Sequence, residues 1–334
     1  MQHIGRILVA PLNWGLGHAS RCIPLIRRFL DEGNEVILAS DGEALQFLRR
    51  EFPLLEYHEI SSYHIRYTRS PTRMTRALMS QSAGIFNSIR KERAWLRRFL
   101  RKHHVDMVLS DNRYGMCSKR VRSVIMTHQL NIPTPLMRGT VNRIIHRMIH
   151  RFDACWVPDH PDHRLSGQLS EATLKIPLKF IGPLSRVQAL PQIEKDISVL
   201  AILSGPEPQR SILENLLIPV LQDIEGAVLV RGLMKDRTNE RVGRLQIIDH
   251  LLSKDLEQYL NRAQKVICRS GYSSIMDLDA LCKAAILIPT PGQPEQEYLA
   301  EHLAQHRLFT MLEQSELAEL LPDLLTAPAQ QWSA

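Results

Sequence analysis

The sequence predicts an α/β protein of two doubly wound, parallel-sheet domains facing each other across a cleft. Three observations predict it. Short β-rich runs alternate with helical patterns. The alternation occurs in two series, separated by a proline- and glycine-containing stretch of little periodicity. In both series the glycines and polar residues follow the strands directly, where open α/β sheets take ligands.

The first series opens with a β-rich run at 6–10, a glycine loop at 13–18 and a helical pattern over 21–32 that Gly33 ends. Strands are predicted at 35–40, 106–110 and 124–127, the second leaving through Asp111, Asn112 and Arg113. The second series has strands at 199–203, 227–230, 265–268 and 285–288, with a helix from about Arg210. Pro183, Pro191 and Gly182 mark the break between them. The expected organisation is a first domain at 1–183, a linker at 184–197 and a second domain at 198–315. A C-terminal helix and tail at 316–334 is expected to pack back on the first domain.

Composition bounds the rest. A chain of 334 residues suits two ordinary domains, and 44% apolar with 23% charged residues is a globular balance. The net charge of +7 is local. Arg66, Arg69, Arg73, Arg76, Arg90, Lys91, Arg93, Arg97, Arg98, Arg101 and Lys102 form a basic block in which Glu92 is the only acid. Such a block suits a polyanion or an anionic membrane surface, or is a solvated helix face. The five cysteines lack a CxxC spacing and read as reduced structural thiols. No run reaches the about 20 apolar residues of a membrane span, and the start has no signal-peptide pattern. A cytoplasmic protein is expected, peripheral on the inner face of the cell membrane.

Residues 268–300 carry the clearest chemistry. A strand delivers Arg269, Ser270 and Gly271 to its edge, and a helix opens at Tyr272, Ser273 and Ser274. Free N–H groups and hydroxyls there suit a diphosphate. Asp277, one turn in, is placed for a ribose diol, and Glu295 with Gln296 offers acceptors and donors for paired sugar hydroxyls. Each also has a plain reading. Ser274 and Asp277 make a capping box, and Glu295 with Gln296 caps the next helix.

The ordered array of strand, Arg-Ser-Gly turn, helix acid, strand, proline loop, acid–Gln and following Ala300 resembles the donor half of the two-domain GT-B glycosyltransferases. It is most similar to the family 28, MurG-like branch, which uses UDP-sugars. The resemblance implies two Rossmann-like domains, with phosphates held by Ser270, Gly271, Ser273 and Ser274, ribose by Asp277, and sugar by Glu295 and Gln296. It places Leu252 and Ser253 against the uracil. Leu299 stands where the family often has Asn, and Asp277 where many members have Glu, so the donor sugar stays open.

The N-terminal loop holds Gly15, Gly17 and His18, with Arg21 one turn further. The resemblance puts the acceptor here and makes His18 the candidate base, since an imidazole titrates near neutrality. Asp111 leaves another strand of the same domain and is placed to orient His18. Arg21 would reach a phosphate, and His128 lines the acceptor side. In the second domain, Pro206 and Pro208 remove N–H donors from the loop at Gly205, and Arg210 or Arg231 is expected to compensate. Residues 141–152 form a basic amphipathic helix, suited to a membrane interface or to ordinary packing.

No metal site is read, because the histidines lack ligand spacing and no acidic donor motif leaves a strand. No cofactor is implied, the UDP-sugar being a co-substrate, and nucleic acid is not an expected partner. The expected activity is transfer of a hexosyl or N-acetylhexosaminyl group from a UDP-sugar to a hydroxyl of a glycan or lipid-linked acceptor. A nucleotide-sugar hydrolase or epimerase on the same scaffold is one alternative. A non-catalytic protein that binds a nucleotide-sugar or polyanion is another.

Overall fold

A computed structural model describes residues 5–63, 82–132, 138–234, 239–305 and 308–326. Among these, a first compact unit ends at Leu184 and a second begins at Ser185.

The first unit is built on β1 (Arg6–Pro11), β2 (Glu35–Ser40), β3 (Glu56–Glu59), β4 (Met107–Asp111), β5 (Arg122–Met126), β6 (Ala154–Val157) and β7 (Leu178–Phe180). They form one 7-stranded sheet in the order β3-β2-β1-β4-β5-β6-β7, every pair parallel. The helices are α1 (Gly17–Asp31), α2 (Gly42–Glu51), α3 (Ser82–Phe99) and α4 (Arg138–Ile149). Runs such as Ile7-Leu8-Val9-Ala10 and Val36-Ile37-Leu38-Ala39 are apolar without alternation because both faces are covered. Period two still sorts them. Leu8, Ala10, Ile37, Ala39 and Val108 point to one side, against Leu96 and Phe99 of α3.

The sheet winds outward in one direction from β1 to β3 and in the other from β4 to β7. The reversal lies between β1 and β4, where Pro11 pairs with Asp111. The loop from β1 to α1 and the exit of β4 therefore flank one crevice at the carboxyl edge. Gly15 in that loop has φ +69°, a conformation that carries a Cβ only under strain.

The second unit repeats the plan with β8 (Ile197–Ile202), β9 (Ala227–Val230), β10 (Asn239–Val242), β11 (Leu245–Ile248), β12 (Ala263–Cys268), β13 (Ala285–Leu287) and β14 (Phe309–Met311). Its order is β10-β11-β9-β8-β12-β13-β14, with reversal between β8 and β12. Among the described strands only β10 and β11 are antiparallel, joined through Gly243 at φ +59°. The helices are α5 (Gln209–Leu221), α6 (Ser253–Arg262), α7 (Tyr272–Ala280), α8 (Pro294–Ala304) and α9 (Leu317–Thr326).

Two expectations change here. The C-terminal helix does not return to the first domain: Leu317 and Leu321 are buried in the second core with Leu213, Ile286 and Ile288. The last residues of the tail, 327–334, lie outside the described residues. The predicted linker is not a loose connector either. Leu190 N–H donates to Asn261 Oδ1 at 2.9 Å, and Gln188 N–H to Glu257 Oε1 at 2.8 Å, so the segment is stitched along α6.

The basic amphipathic helix also sorts differently. Ile145, Ile149 and Phe152 are buried, but Ile144 is 41% exposed beside the exposed Arg143 and Arg147. His146 is partly buried, and its Nε2 lies 2.8 Å from Leu130 O.

Candidate active site

At the crevice of the first sheet, α1 begins at Gly17 and places His18 and Arg21 three residues apart on one face. Both meet Asp111 at the end of β4. Arg21 Nε donates to Asp111 Oδ2 at 2.7 Å, and Arg21 Nη2 binds Asp111 Oδ1. His18 Nδ1 lies 3.2 Å from Asp111 Oδ1 and 2.9 Å from Arg21 Nη2. Arg21 Nη1 lies 3.1 Å from His128 Nδ1 at the exit of β5.

Asp111 is fully buried while the His18 side chain is 13% exposed, so of this pair only the imidazole can meet a substrate. Burial alone would raise the carboxyl pKa of Asp111. The Arg21 guanidinium and His18 overcome it and hold the group well below the usual carboxylate range. Asp111 is thus a permanent anion beneath His18.

The two contacts of His18 Nδ1 ask for opposite tautomers. Toward Arg21 the nitrogen must accept, which puts the proton on Nε2. Toward Asp111 it must donate, which leaves Nε2 bare to take a proton. The base-competent form is the one directed at Asp111, and Arg21 retains its own bonds to that carboxylate when it is adopted. Asn112, next in the chain, sits at φ +56°, and its buried Oδ1 has no partner among the described residues.

Leu12 and Trp14 of the glycine loop pack in one cluster with Ile85 and Ile89 of α3 and Met148 of α4. Behind the loop, Arg113 is fully buried and bridges Asp41 and Glu92, with Glu92 Oε1 at 2.9 Å. Tyr63 Oη donates to Glu92 at 2.9 Å, so the lone acid of the basic block is a buried strut.

In the second unit, the exits of β8 and β12 flank the reversal. Gly205 has φ +96°, and a Cβ built there would meet nothing within 4 Å. Gly271 is the N-cap of α7, with φ −77° and ψ 135°, and its Cβ would also meet open space. The first-turn N–H groups of α7 have no carbonyl of their own helix. They open on the same edge. Leu252 is the N-cap of α6, with its carbonyl accepting from Leu256 N–H at 2.8 Å.

The loop after β13 is held from within. Gln293 caps α8, accepting from Gln296 N–H at 2.5 Å, and Gln296 Oε1 accepts from Thr290 N–H at 2.9 Å. Ser270 Oγ donates to the Gln296 carbonyl at 2.7 Å. Beneath these loops the buried Arg269 binds Pro289 O at 2.9 Å and Gln314 Oε1 at 2.7 Å.

Comparison with known proteins fits this geometry. Residues 235–331 match the glycosyltransferase family 28 C-terminal domain. The UDP-N-acetylglucosamine–N-acetylmuramyl-(pentapeptide) pyrophosphoryl-undecaprenol N-acetylglucosamine transferase of Pasteurella multocida is 25% identical over 334 residues, covering 96% of this chain and 88% of that protein. The chain is a glycosyltransferase, similar along nearly its whole length to the MurG-type enzymes. A glycosyltransferase of Methanopyrus kandleri is 21% identical, with 86% of each chain covered. Acinetobacter baumannii MurG shares the fold at a TM-score of 0.55 and 14% identity, over 98% of this chain and 92% of that one. The spinosyn rhamnosyltransferase SpnG, solved with thymidine diphosphate, superposes at 0.64 with 15% identity, over 97% and 93%. The fold of this glycosyltransferase is therefore GT-B.

Not every predicted site residue is placed as expected. His18, Arg21, Asp111 and His128 converge, but Arg21 is 2% exposed and bound to Asp111, so it is not a phosphate ligand. Arg231 is committed to Glu214 at 2.6 Å, Glu240 at 2.9 Å and Asp249 at 3.2 Å, and Arg210 to Glu214 at 2.7 Å. Neither compensates for the prolines. Asp277 does not face outward for a ribose. Its Oδ1 accepts from Ser185 Oγ at 2.9 Å and Arg186 N–H at 3.2 Å, and Oδ2 pairs with Arg186 Nε at 3.4 Å. Ser274 lines a small cavity with Asp277, Arg186, Leu256 and Cys268. The capping-box reading of Ser274 fails too, since α7 begins at Tyr272. Ser270 turns its hydroxyl proton to Gln296. Gln296 retains an amide nitrogen without a bond among the described residues, while Gln293 Nε2 lies 3.4 Å from Glu295. Ser253 is buried at the start of α6.

Two outcomes follow for variants of these residues. Asp111→Asn leaves Arg21 without its buried counter-charge and should cost about 3–5 kcal/mol at neutral pH by urea unfolding. The lowered pKa of Asp111 means its contribution is complete above about pH 4 and is lost as pH falls toward the folded-state value. The variant's melting temperature should therefore fall less steeply below pH 4 than the wild type's; parallel acid limbs would contradict the assignment. Gly271→Ala places a methyl in open space on a permitted backbone, so stability should change by less than about 1 kcal/mol. Calorimetric affinity for UDP should nevertheless fall at least about tenfold, because the methyl occupies the approach to the α7 N-terminus.

Proposed function

We propose that this glycosyltransferase moves a hexosyl group, N-acetylhexosamine in particular, from a UDP-sugar to a hydroxyl of a lipid-linked or glycan acceptor. The observation that carries the reading is the His18–Asp111 pair at the crevice of the first sheet. Transfer needs a base for the acceptor hydroxyl, and a partly exposed imidazole over a buried anion meets that need. His18 Nε2 takes the hydroxyl proton. The acceptor oxygen bonds to the anomeric carbon, and the bond to UDP breaks, its electron pair leaving with the diphosphate. Displacement from the opposite face would invert the sugar carbon, by analogy with the fold.

The donor side rests on the second sheet. Gly205 and Gly271 leave space at adjacent strand exits, and the N-terminus of α7 favours the charge that develops on the diphosphate. The relatives named as UDP-N-acetylglucosamine transferases and the neighbour solved with thymidine diphosphate support a nucleoside-diphosphate sugar there. Ser270, Gly271 and Gln296 are the side-chain and backbone groups assigned to it, with Leu252 at the base.

A lipid-linked acceptor is supported by the surface around the glycine loop. α3 exposes Phe86 at 48% with Arg90, Lys91, Arg97 and Arg98, and α4 exposes Ile144 with Arg143 and Arg147. Met148, Ile85 and Trp14 share one cluster, so this basic, partly apolar surface adjoins the loop that carries His18. This surface supports a peripheral position on an anionic membrane. No described helix is long and apolar enough to cross a membrane. The rest of the basic block, Arg66, Arg69, Arg73 and Arg76, lies outside the described residues.

The test uses radiolabelled UDP-sugars with and without undecaprenyl-linked acceptor. Label should pass into the lipid fraction, and His18→Ala should lower that rate by about 10²- to 10⁴-fold while UDP affinity stays within a factor of two or so. Free sugar released in the absence of acceptor, at the rate of the full reaction, would replace transfer with hydrolysis. In flotation assays, Arg143→Glu with Arg147→Glu should reduce binding to anionic vesicles but leave turnover of a water-soluble acceptor unchanged. Equal vesicle binding by the variant and the wild type would remove α4 from the membrane face.

A further inference from the structure

Along β3, the lateral edge strand of the first sheet, lies a second cluster that the proposed transfer does not use. Glu56 and His58 are two residues apart on edge strand β3, so their side chains share a face. His103 comes from the turn that follows α3. His58 Nε2 lies 2.7 Å and His103 Nδ1 3.7 Å from the same oxygen, Glu56 Oε1. All three potential ligand atoms fall within 4.8 Å of one another.

We propose that Glu56, His58 and His103 form a binding site for one divalent transition-metal ion of the zinc type. Ligand atoms around tetrahedral zinc stand about 3.3 Å apart, given bonds of about 2.0–2.1 Å. The two separations from Glu56 Oε1, 2.7 Å and 3.7 Å, bracket that spacing, and side chains 29–36% exposed have room to adjust to it. Two imidazoles and one carboxylate select zinc, cobalt or nickel over magnesium and calcium, which prefer all-oxygen shells. Water completes the fourth position.

Two further features prepare the site. Phe99 sets both rings: His103 stacks on it at 4.3 Å and 6°, and His58 meets it edge-on at 4.9 Å and 73°. Trp95 stacks on Phe99 from behind at 4.8 Å. Metal-binding histidines held by their surroundings lose little freedom on ligation. Arg6 is a nearby cation that would oppose a metal. It is shared between Glu56 Oε2 at 2.7 Å and Glu35 Oε1 at 2.9 Å, so the three charges sum to −1 and Glu56 Oε1 stays turned toward the histidines. A bound ion would clip the edge strand to the end of the basic helix α3, a structural role remote from the chemistry.

The sequence hid this site because Glu-x-His is too short a signal alone and the third ligand lies beyond α3. The experiment titrates the chelator-treated full-length protein with Co²⁺ and Zn²⁺ at about pH 7.5. One equivalent of Co²⁺ should produce the visible bands of a four-coordinate ion, and Zn²⁺ should raise the melting temperature. His58→Gln and His103→Gln, which keep much of the packing on Phe99, should each weaken zinc binding at least about tenfold. His104→Ala, the exposed neighbour bound to Asp106, should bind as the wild type does. Absence of a one-equivalent cobalt band, or a band unaltered in the His58 and His103 variants, overturns the proposal and leaves an ordinary hydrogen-bonded triad.

Discussion

The reversal of winding in each sheet is the constraint on which the rest depends. Parallel strands covered on both faces offer no open surface, so a ligand can enter only where neighbouring crossovers depart in opposite directions. In the first unit that place lies between β1 and β4, and the chain puts its glycine loop on one side and Asp111 on the other. In the second it lies between β8 and β12, with Gly205 and Gly271 on the two sides. The chemistry differs because the side chains differ. One crevice holds a buried anion, two histidines and an arginine. The other presents glycines and the N-terminus of a helix.

Asp111 shows how such a crevice is kept polar without collapsing. An isolated buried carboxylate would be protonated. Arg21 prevents this with two contacts and is itself shielded from solvent. A residue that reads as a phosphate ligand in the sequence thus has a supporting role. The same arginine that neutralises Asp111 also competes with it for His18 Nδ1.

Much of this was legible in the sequence, and the failures share a cause. The alternation of apolar runs reports parallel strands directly, and the strands at β1, β2, β4, β5, β8, β9 and β12 are where the apolar runs lie. The hairpin of β10 and β11 escaped because Asn239-Glu240-Arg241 is charged and its turn is Gly243-Arg244. Strand β3, Glu-Tyr-His-Glu, is an edge strand whose side chains are only partly buried. His18, Asp111, Gly205 and Gly271 could be placed because backbone position decides their situation. Arg21, Arg231 and Asp277 could not, since their partners, Asp111, Glu214 and Ser185 among others, come from distant segments. Asn112 was passed over, though a left-handed Asn beside a strand-end carboxylate is itself a signal.

The bond from Ser270 Oγ to the Gln296 carbonyl has a further consequence. With Gln296 Oε1 on Thr290 N–H and Arg269 on Pro289 O, the exits of β12 and β13 become one mechanical body. Groups that dock at the α7 N-terminus and at the start of α8 then act on the same degrees of freedom. The conformational entropy lost when one end of a ligand stills this body is not lost again at the other end. A molecule long enough to touch both would bind with positive coupling between its two halves, and by linkage each half would strengthen the other equally.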